Sequence, residues 1–117
     1  MRVLLVEDDP VSRETIRLFL QSGSLDVYEA DGGRQAVVET LRVEPDIVLM
    51  DLMMPKMDGV EAITALRSMS WTESIRSIAL TASTNKDLHD AAIEAGADQV
   101  LLKPFDPDDF VTALDQQ

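Results

Sequence analysis

The chain has 117 residues, about the size of one domain, and its 45% hydrophobic content is enough for a packed core. It contains no cysteine, which excludes a disulfide framework and thiolate metal sites. Acidic residues outnumber basic ones by 22 to 10, for a formal net charge of −12, and this charge argues against direct binding to DNA or RNA.

The sequence also argues against a membrane protein. No apolar stretch approaches the roughly 20 residues that span a bilayer, and the N-terminus lacks the layout of a signal peptide. We therefore expect a cytoplasmic protein, in agreement with the absence of cysteine. Its expected partners are proteins and small cations.

Strand and helix patterns alternate five times along the chain, without a repeat or a linker, which predicts a single α/β domain over residues 1–117. The segment Leu25–Ala30 alternates apolar and polar residues, which indicates an edge strand with one face partly solvated. Four short apolar runs are typical of buried parallel strands: Val3–Val6, Ile47–Met50, Ile78–Leu80 and Val100–Leu102.

Each predicted strand is followed by a predicted helix. The first helix has Asp9 as its N-cap and Pro10 as its first residue, and it ends near Gly23. The second covers about 33–43 and the third about 59–70. The fourth helix covers about 85–95, with Ser83 or Thr84 as the candidate N-cap and Gly96 as the residue that ends it. The fifth helix begins with Asp106-Pro107-Asp108-Asp109, a sequence that combines a cap, a proline in the first turn and acidic residues at the N-terminus.

The segment 70–77 leaves two positions open. Trp71 could cover the end of the third helix or lie exposed, and Ile75 could belong to the fourth strand or precede it. Boundaries in this segment can therefore shift by several residues.

A reactive side chain follows each of the four apolar runs: Glu7 and Asp8, Asp51, Thr81, and Lys103. Ligands of parallel sheets bind outside the carboxyl ends of the strands, so we expect these side chains to converge at one edge. Two unit charges about 4 Å apart repel by ~4 kcal/mol at an effective dielectric of ~20. A hard divalent cation offsets this repulsion, and the sequence therefore predicts a Mg²⁺ site, which Mn²⁺ could also fill.

Asp51 is the best candidate for a nucleophile in this cluster. It ends the predicted central strand and precedes a loop in which Pro55 and Gly59 set a tight turn. With a metal ion in place, Asp51 could attack a phosphoryl group while Thr81 and Lys103 bind the equatorial oxygens. The product would be an aspartyl phosphate.

The stretches VLLVEDD, DLMMPKMDG, ALTAS and LLKPF, in this order and spacing, resemble the receiver domain of bacterial two-component response regulators. The resemblance covers essentially the whole chain, and four motifs in register are far more specific than any one of them. It implies a flavodoxin-like, doubly wound (βα)5 fold with a parallel sheet of order 2-1-3-4-5 and helices on both faces.

The resemblance also implies roles for individual residues. Asp51 would accept a phosphoryl group from the phosphohistidine of a histidine kinase or a histidine phosphotransfer protein. Asp8, Asp51 and the backbone carbonyl of Met53 would bind Mg²⁺, with Glu7 assisting through water. The chain would then be a signalling phosphoacceptor, not an enzyme, although it would assist its own phosphorylation and slow dephosphorylation.

Further family features concern the two remaining site residues. Thr81 would close onto the phosphoryl group, and Lys103 would bridge to Asp51 next to a cis Lys103–Pro104 bond. Three residues before the lysine the family often carries a rotating aromatic side chain, but this chain has Val100. The aromatic readout is therefore not expected, unless another residue replaces it.

Three more residues are considered for a role. Met53 and Ser83 occupy positions that resemble family tuners of the dephosphorylation rate. His89, the only histidine, is expected on a solvated helix face with no role in the chemistry.

Two other functions stay open at this point. A non-phosphorylated, receiver-like interaction module would keep the acidic cluster as a residual feature, and Val100 keeps this alternative alive. A Mg²⁺-dependent phosphohydrolase resembling haloacid-dehalogenase-type enzymes would also use an aspartyl nucleophile. Its Asp-x-Asp spacing differs from Glu7-Asp8-Asp9-Pro10, however, and such enzymes usually need a larger body.

The sequence identifies neither the cognate kinase nor the downstream partner or output domain. The short last helix, predicted to end near Leu114, slightly favours a piece of a longer protein over a free-standing chain.

Overall fold

A computed structural model gives the fold of the chain and describes residues 1–23, 25–54, 57–69 and 74–115. Strands and helices alternate through these residues. The strands are β1 (Arg2–Val6), β2 (Asp26–Ala30), β3 (Ile47–Asp51), β4 (Arg76–Thr81) and β5 (Gln99–Leu102). The helices are α1 (Pro10–Ser22), α2 (Gly33–Val43), α3 (Gly59–Arg67), α4 (Lys86–Ala95) and α5 (Pro107–Asp115).

The strands form one parallel sheet in the order β2-β1-β3-β4-β5, as predicted. β3 is central, and all five of its residues are buried. β2 lies at an edge and buries only Ala30 fully, which confirms the prediction from its alternating pattern. β5 forms the opposite edge, so the prediction that its apolar run is a buried strand is wrong: three of its residues are half-buried and Leu102 is exposed.

Helices cover both faces of the sheet, because successive strand residues point to opposite sides. Leu4 and Val6 of β1 belong to a buried cluster that also includes residues of α2, α3 and α4. Val3 and Leu5 belong to a second cluster, with residues of α1 and α5. Both faces of β1 are therefore apolar, which explains its unbroken hydrophobic run.

The helix starts follow the capping signals, with one exception. The Asp9 side chain accepts a hydrogen bond from the Ser12 amide at 3.1 Å and caps α1, as predicted. The prediction of Ser83 or Thr84 as the cap of α4 is wrong, because Asn85 caps this helix. Its side-chain oxygen accepts hydrogen bonds from the amides of the second and third helical residues, Asp87 and Leu88.

The other helix ends agree with the sequence except at α3. Asp106 and Asp109 exchange hydrogen bonds between side chain and amide, a capping box at the start of α5. Gly96 ends α4 with a positive φ of 123°. α3 ends at Arg67 and not near residue 70, and the Ser68 hydroxyl donates to the Ala65 carbonyl just beyond its last turn.

The ambiguous segment before β4 is only partly described. Ile75 is buried but precedes the strand, which begins at Arg76. Trp71 lies outside the described residues. Within the described ranges, no helix combines the length and apolarity needed to cross a membrane.

Gly59 lets α3 begin directly against the end of β3. Its amide donates to the Leu52 carbonyl at 3.2 Å. A β-carbon at this position would collide with the Asp51 carbonyl oxygen and lie 2.6 Å from the Leu52 α-carbon. Because both obstacles are backbone atoms, a larger residue would have to displace the strand end that carries Asp51.

We expect Gly59→Ala to lower the free energy of unfolding by more than about 2 kcal/mol, since overpacking against backbone leaves little room to relax. Gly32→Ala is the matched control, because a β-carbon there meets nothing within 4 Å. It should change stability by less than about 1 kcal/mol. Urea unfolding of both variants measures the difference, and equal effects would contradict the close approach.

Candidate functional site

Strand register explains why the predicted residues meet. β1 pairs with β3 and aligns Val6 with Met50, so the next residues, Glu7 and Asp51, emerge side by side. β3 pairs with β4, and β4 with β5, which places Thr81 and Lys103 farther along the same edge. The site therefore lies at the carboxyl end of the sheet, where parallel α/β folds bind ligands.

Three carboxylates form the centre of this site. Glu7, Asp8 and Asp51 each offer an oxygen, and these oxygens lie within 4.8 Å of one another. The residues Glu7 and Asp51 are only 1% and 6% exposed. Little water is therefore available to screen their repulsion, and the cluster needs a cation or a proton.

The Lys103 ammonium supplies part of the required positive charge. Its Nζ lies 2.6 Å from Glu7 Oε1 and 3.2 Å from Asp51 Oδ2. Burial acts to lower the pKa of Lys103, but the bond to Glu7 and the charge of Asp51 outweigh burial and raise it. The following bond, Lys103–Pro104, is cis, as the resemblance implies. The ammonium balances one of the three carboxylate charges, so these four side chains carry a net charge of −2 when all three carboxyls are ionised.

The pKa values of the two buried carboxyls are shifted in opposite directions. Burial, followed by the interaction with Glu7, raises the pKa of Asp51 to about 6. Burial acts to raise the pKa of Glu7, but the interactions with Asp51 and Lys103 outweigh burial and lower this pKa. The closer lysine contact belongs to Glu7, so this carboxylate keeps its charge while a proton that enters the pair goes to Asp51.

One buried oxygen of the site has no hydrogen-bond partner within the described part of the chain. This atom is Glu7 Oε2, whose sister oxygen bonds Lys103. A buried anionic oxygen without a donor is unfavourable unless a water, a proton or an ion completes it. Together with the three clustered carboxylates, it fits a hard divalent cation with bound water.

Hydrogen bonds that involve the main chain hold the Asp51 carboxylate and the backbone of Glu7. The Met53 amide donates to Asp51 Oδ1 at 2.9 Å, while the Met53 side chain is 65% exposed. Arg13 donates from Nη1 to the Glu7 carbonyl at 2.9 Å and so holds the end of β1. Arg13 was not predicted as a site residue, although a cation in the first turn of a helix is unfavourable beside the helix dipole and indicates a partner elsewhere.

Thr81 and His89 both bond Ser83, which lies in the loop before α4. Thr81 is 1% exposed, and its Oγ1 accepts a hydrogen bond from the Ser83 amide at 3.1 Å. The expectation that His89 lies on a solvated face is wrong, because the residue is half-buried and its Nε2 lies 2.6 Å from the Ser83 carbonyl oxygen. Helical side chains lean toward the N-terminus, so His89 in the first turn of α4 reaches back over this loop.

A cavity of about 400 Å³ opens beside Lys103. Apolar side chains of α1 form one wall, and the segment after β5 forms another. Its lining includes Ile16, Phe19, Ala82, Pro104 and Phe105. The lysine end of the site is therefore open to molecules approaching from outside.

Comparison with known proteins identifies the family. The family model of the response regulator receiver domain matches residues 3–115. The chain belongs to this family. Receiver domains are signalling phosphoacceptors of two-component systems, and those of response regulators interact with histidine kinases.

Two curated relatives differ in length. The DNA-binding response regulator MtrA of Mycolicibacterium smegmatis is 34% identical over 113 residues, which cover 97% of this chain and 48% of that protein. An uncharacterised 14.6 kDa protein of Leptolyngbya boryana is 33% identical over 116 residues, which cover 99% of this chain and 88% of that protein. The chain thus spans about half the length of the DNA-binding relative.

Solved receiver structures share the fold. The chemotaxis protein CheY4 of Vibrio cholerae has a TM-score of 0.90 and 29% identity, covering 97% of this chain and 94% of that chain. The receiver domain of a sensor histidine kinase from Pseudomonas aeruginosa PAO1 has a TM-score of 0.89 and 33% identity, covering 97% and 93%. That structure contains a magnesium ion coordinated in the active-site cleft. The predicted fold class and family are confirmed.

Mg²⁺ should stabilise the folded chain by relieving the carboxylate repulsion. At ten times its Kd we expect the free energy of unfolding to rise by about 1.4 kcal/mol, or a few degrees in the thermal midpoint. Asp8→Asn removes one carboxylate of the cluster and should reduce the shift at the same concentration. Thermal unfolding with and without Mg²⁺ tests this, and an unchanged midpoint for the folded wild type would contradict the metal site.

The raised pKa of Asp51 predicts a pH-dependent stability in the absence of metal. Between about pH 4 and pH 6 the folded chain holds a proton on Asp51 that the unfolded chain releases. The folded state binds more protons, so the contribution of Asp51 to stability falls as pH rises through this window.

Asp51→Asn, which cannot ionise, should therefore gain stability relative to wild type by about 2 kcal/mol between pH 4 and pH 7. Denaturant unfolding in EDTA at several pH values gives this difference, in which most contributions of other carboxyls cancel. If the stability difference between Asp51→Asn and wild type does not change with pH, the pKa of Asp51 is not raised in the folded state.

Proposed function

We propose that this chain accepts a phosphoryl group on Asp51 from a partner phosphohistidine, in a Mg²⁺-dependent reaction that switches protein–protein interactions. The observation that carries the proposal is the buried Asp51 carboxylate, clustered with Glu7 and Asp8 and bonded to Lys103. Membership of the receiver family gives this arrangement its chemical context.

The proposed step is an in-line phosphoryl transfer. An Asp51 carboxylate oxygen attacks phosphorus, an O–P bond forms, and the P–N bond to the donor imidazole breaks with its electron pair staying on nitrogen. A pKa of about 6 leaves most Asp51 ionised at neutral pH, as a nucleophile must be. Bound Mg²⁺ would neutralise charge that develops on the phosphoryl oxygens.

The remaining residues would orient the group and share its charge. Lys103 already reaches Asp51 Oδ2, and a short shift of its Nζ would bond a phosphoryl oxygen. The Thr81 hydroxyl, at the end of the neighbouring strand, would donate to another. Both residues lie at strand ends that the sheet fixes before the donor arrives, so only local movements are needed to bond the phosphoryl group.

The proposed metal ligands are Asp8, Asp51 and the Met53 backbone carbonyl, with Glu7 acting through water. Glu7 has one oxygen on Lys103 and one without a partner, which supports a water-mediated role. The structure places Met53 next to Asp51 through its amide, and its exposed side chain supports a role for the backbone alone. Mn²⁺ accepts the same oxygen donors.

The proposal extends to the cellular role. Residues 1–117 would act as one receiver domain in the cytoplasm, with a histidine kinase or a histidine phosphotransfer protein as donor. The chain would be a stoichiometric phosphoacceptor that assists its own slow dephosphorylation, and Met53 and Ser83 would tune that rate. The downstream partner would be a protein, without direct contact between this domain and nucleic acid or membrane.

A second candidate is the non-phosphorylated interaction module. Val100 favours it, because this half-buried aliphatic side chain packs against a buried core cluster and has no polar group to report on Thr81. The phosphohydrolase alternative has no comparable support. Asp9, the second acid of a Glu7-x-Asp9 spacing, is bonded to the Ser12 amide as a helix cap.

Intact mass after incubation with acetyl phosphate distinguishes these functions. We expect a gain of one phosphoryl group that requires Mg²⁺ and is lost in Asp51→Asn. Asp26→Asn is the matched control, because this exposed carboxyl lies at the opposite end of the sheet, at the start of β2, and its loss should leave labelling unchanged.

Two results would contradict the phosphoacceptor proposal. One is the absence of labelling in a folded wild type whose midpoint rises with Mg²⁺, which would favour the interaction module. The other is labelling that persists in Asp51→Asn, which would place the acceptor elsewhere. Rapid turnover of p-nitrophenyl phosphate would instead favour the phosphohydrolase.

A further inference from the structure

Ser83 links the candidate site to α4 through each of its polar groups. Its amide donates to Thr81 Oγ1 at 3.1 Å, and its hydroxyl accepts from the Asn85 amide at 3.1 Å. Its carbonyl oxygen lies 2.6 Å from His89 Nε2. Two hydrogen bonds through the backbone of one residue therefore separate the buried Thr81 hydroxyl from a side chain in the first turn of α4.

The chemistry of the last bond fixes its direction. A carbonyl oxygen only accepts hydrogen bonds, so His89 Nε2 must carry the hydrogen. Both the neutral Nε2–H tautomer and the imidazolium ion satisfy this condition. The link therefore depends on the presence of a donor at this position, and it does not require a particular charge on the ring.

α4 is the kind of element that such a link can move. Of its ten residues, all of which the structure describes, only Ala92 is buried. Elements with few buried contacts open and shift more readily than core strands. The first turn of α4 is tied to the preceding loop by the Asn85 cap and by His89, so a displacement of Ser83 acts on the helix directly.

We propose that His89 is a positioning residue that couples the state of the Thr81 hydroxyl to α4. The inference rests on the proposed phosphoacceptor function. When Thr81 turns toward a phosphoryl oxygen on Asp51, the Ser83 amide loses its present acceptor, the Thr81 hydroxyl oxygen, and the Ser83 backbone shifts. His89 carries that shift into α4, a role that the aliphatic Val100 cannot take because it has no hydrogen-bonding group.

Beryllofluoride with Mg²⁺, a mimic of the phosphoryl group, tests this coupling by hydrogen exchange. In the wild type we expect exchange to change both in the 81–85 loop and in α4. His89→Met retains a side chain of similar size but has no donor, and the α4 response should fall to less than half while the loop response stays. His89→Gln restores an N–H donor and should restore the α4 response.

Two controls separate coupling from simple destabilisation. Lys86→Ala removes the exposed Lys86–Asp90 pair on the same helix and should leave the α4 response unchanged. Labelling of His89→Met by acetyl phosphate should stay within about twofold of wild type, because His89 bonds the Ser83 carbonyl oxygen and is not a member of the carboxylate cluster or of its ion pairs with Lys103. A response of α4 that is the same in His89→Met and wild type overturns the proposal.

A second measurement needs no substitution. Because His89 is the only histidine, its Nε2–H resonance in the untagged protein is identified by residue type alone. Beryllofluoride should shift this resonance, and a fixed resonance alongside a changed loop overturns the coupling. If neither the loop nor the resonance responds and beryllofluoride does not bind, the phosphoacceptor function itself fails, which is a distinguishable result.

Discussion

Repulsion among three carboxylates is the constraint on which the rest of the site depends. Glu7 and Asp51 are nearly excluded from water, and Lys103 balances only part of their charge together with that of Asp8. The fold tolerates this arrangement because a proton on Asp51, or a cation beside it, can complete the balance. A fold optimised only for stability would not place these groups together, so the strain itself indicates a function.

The parallel sheet is what brings these charges together. Glu7 and Lys103 are 96 positions apart in the chain, yet their side chains form the shortest ion pair of the site. No local preference can create this contact, which depends on β1, β3, β4 and β5 adopting their order and register. The site is therefore a product of the global topology, while local turns and caps refine its geometry.

The sequence was sufficient for the features that depend on patterns. Apolar runs predicted the buried strands β1, β3 and β4, the alternation in β2 predicted an edge, and Asp9 followed by Pro10 predicted the start of α1. The run in β5 predicted a strand correctly but not its position at an edge, where it is only partly buried. The sequence did not predict features for which several neighbouring residues are equally suitable, or features in which a side chain bonds the main chain. Ser83, Thr84 and Asn85 can all cap a helix, and only the path of the chain selects Asn85. Arg13 and His89 bond main-chain carbonyls, whose positions depend on the path of the chain and not on the residue type that carries them.

Because Lys103 directly follows β5, its contacts with Glu7 and Asp51 depend on the stability of that strand. β5 is an outer strand of four residues, none of them fully buried, and it pairs with β4 alone. Outer elements of this kind fray at a lower free-energy cost than the core. Fraying of β5 would withdraw the ammonium from Glu7 and Asp51 while β1 and β3 remain folded. Only some of the folded molecules then have Lys103 in contact with the carboxylates. A preparation that is folded by global criteria can therefore contain molecules that are unable to carry out the proposed phosphoryl transfer.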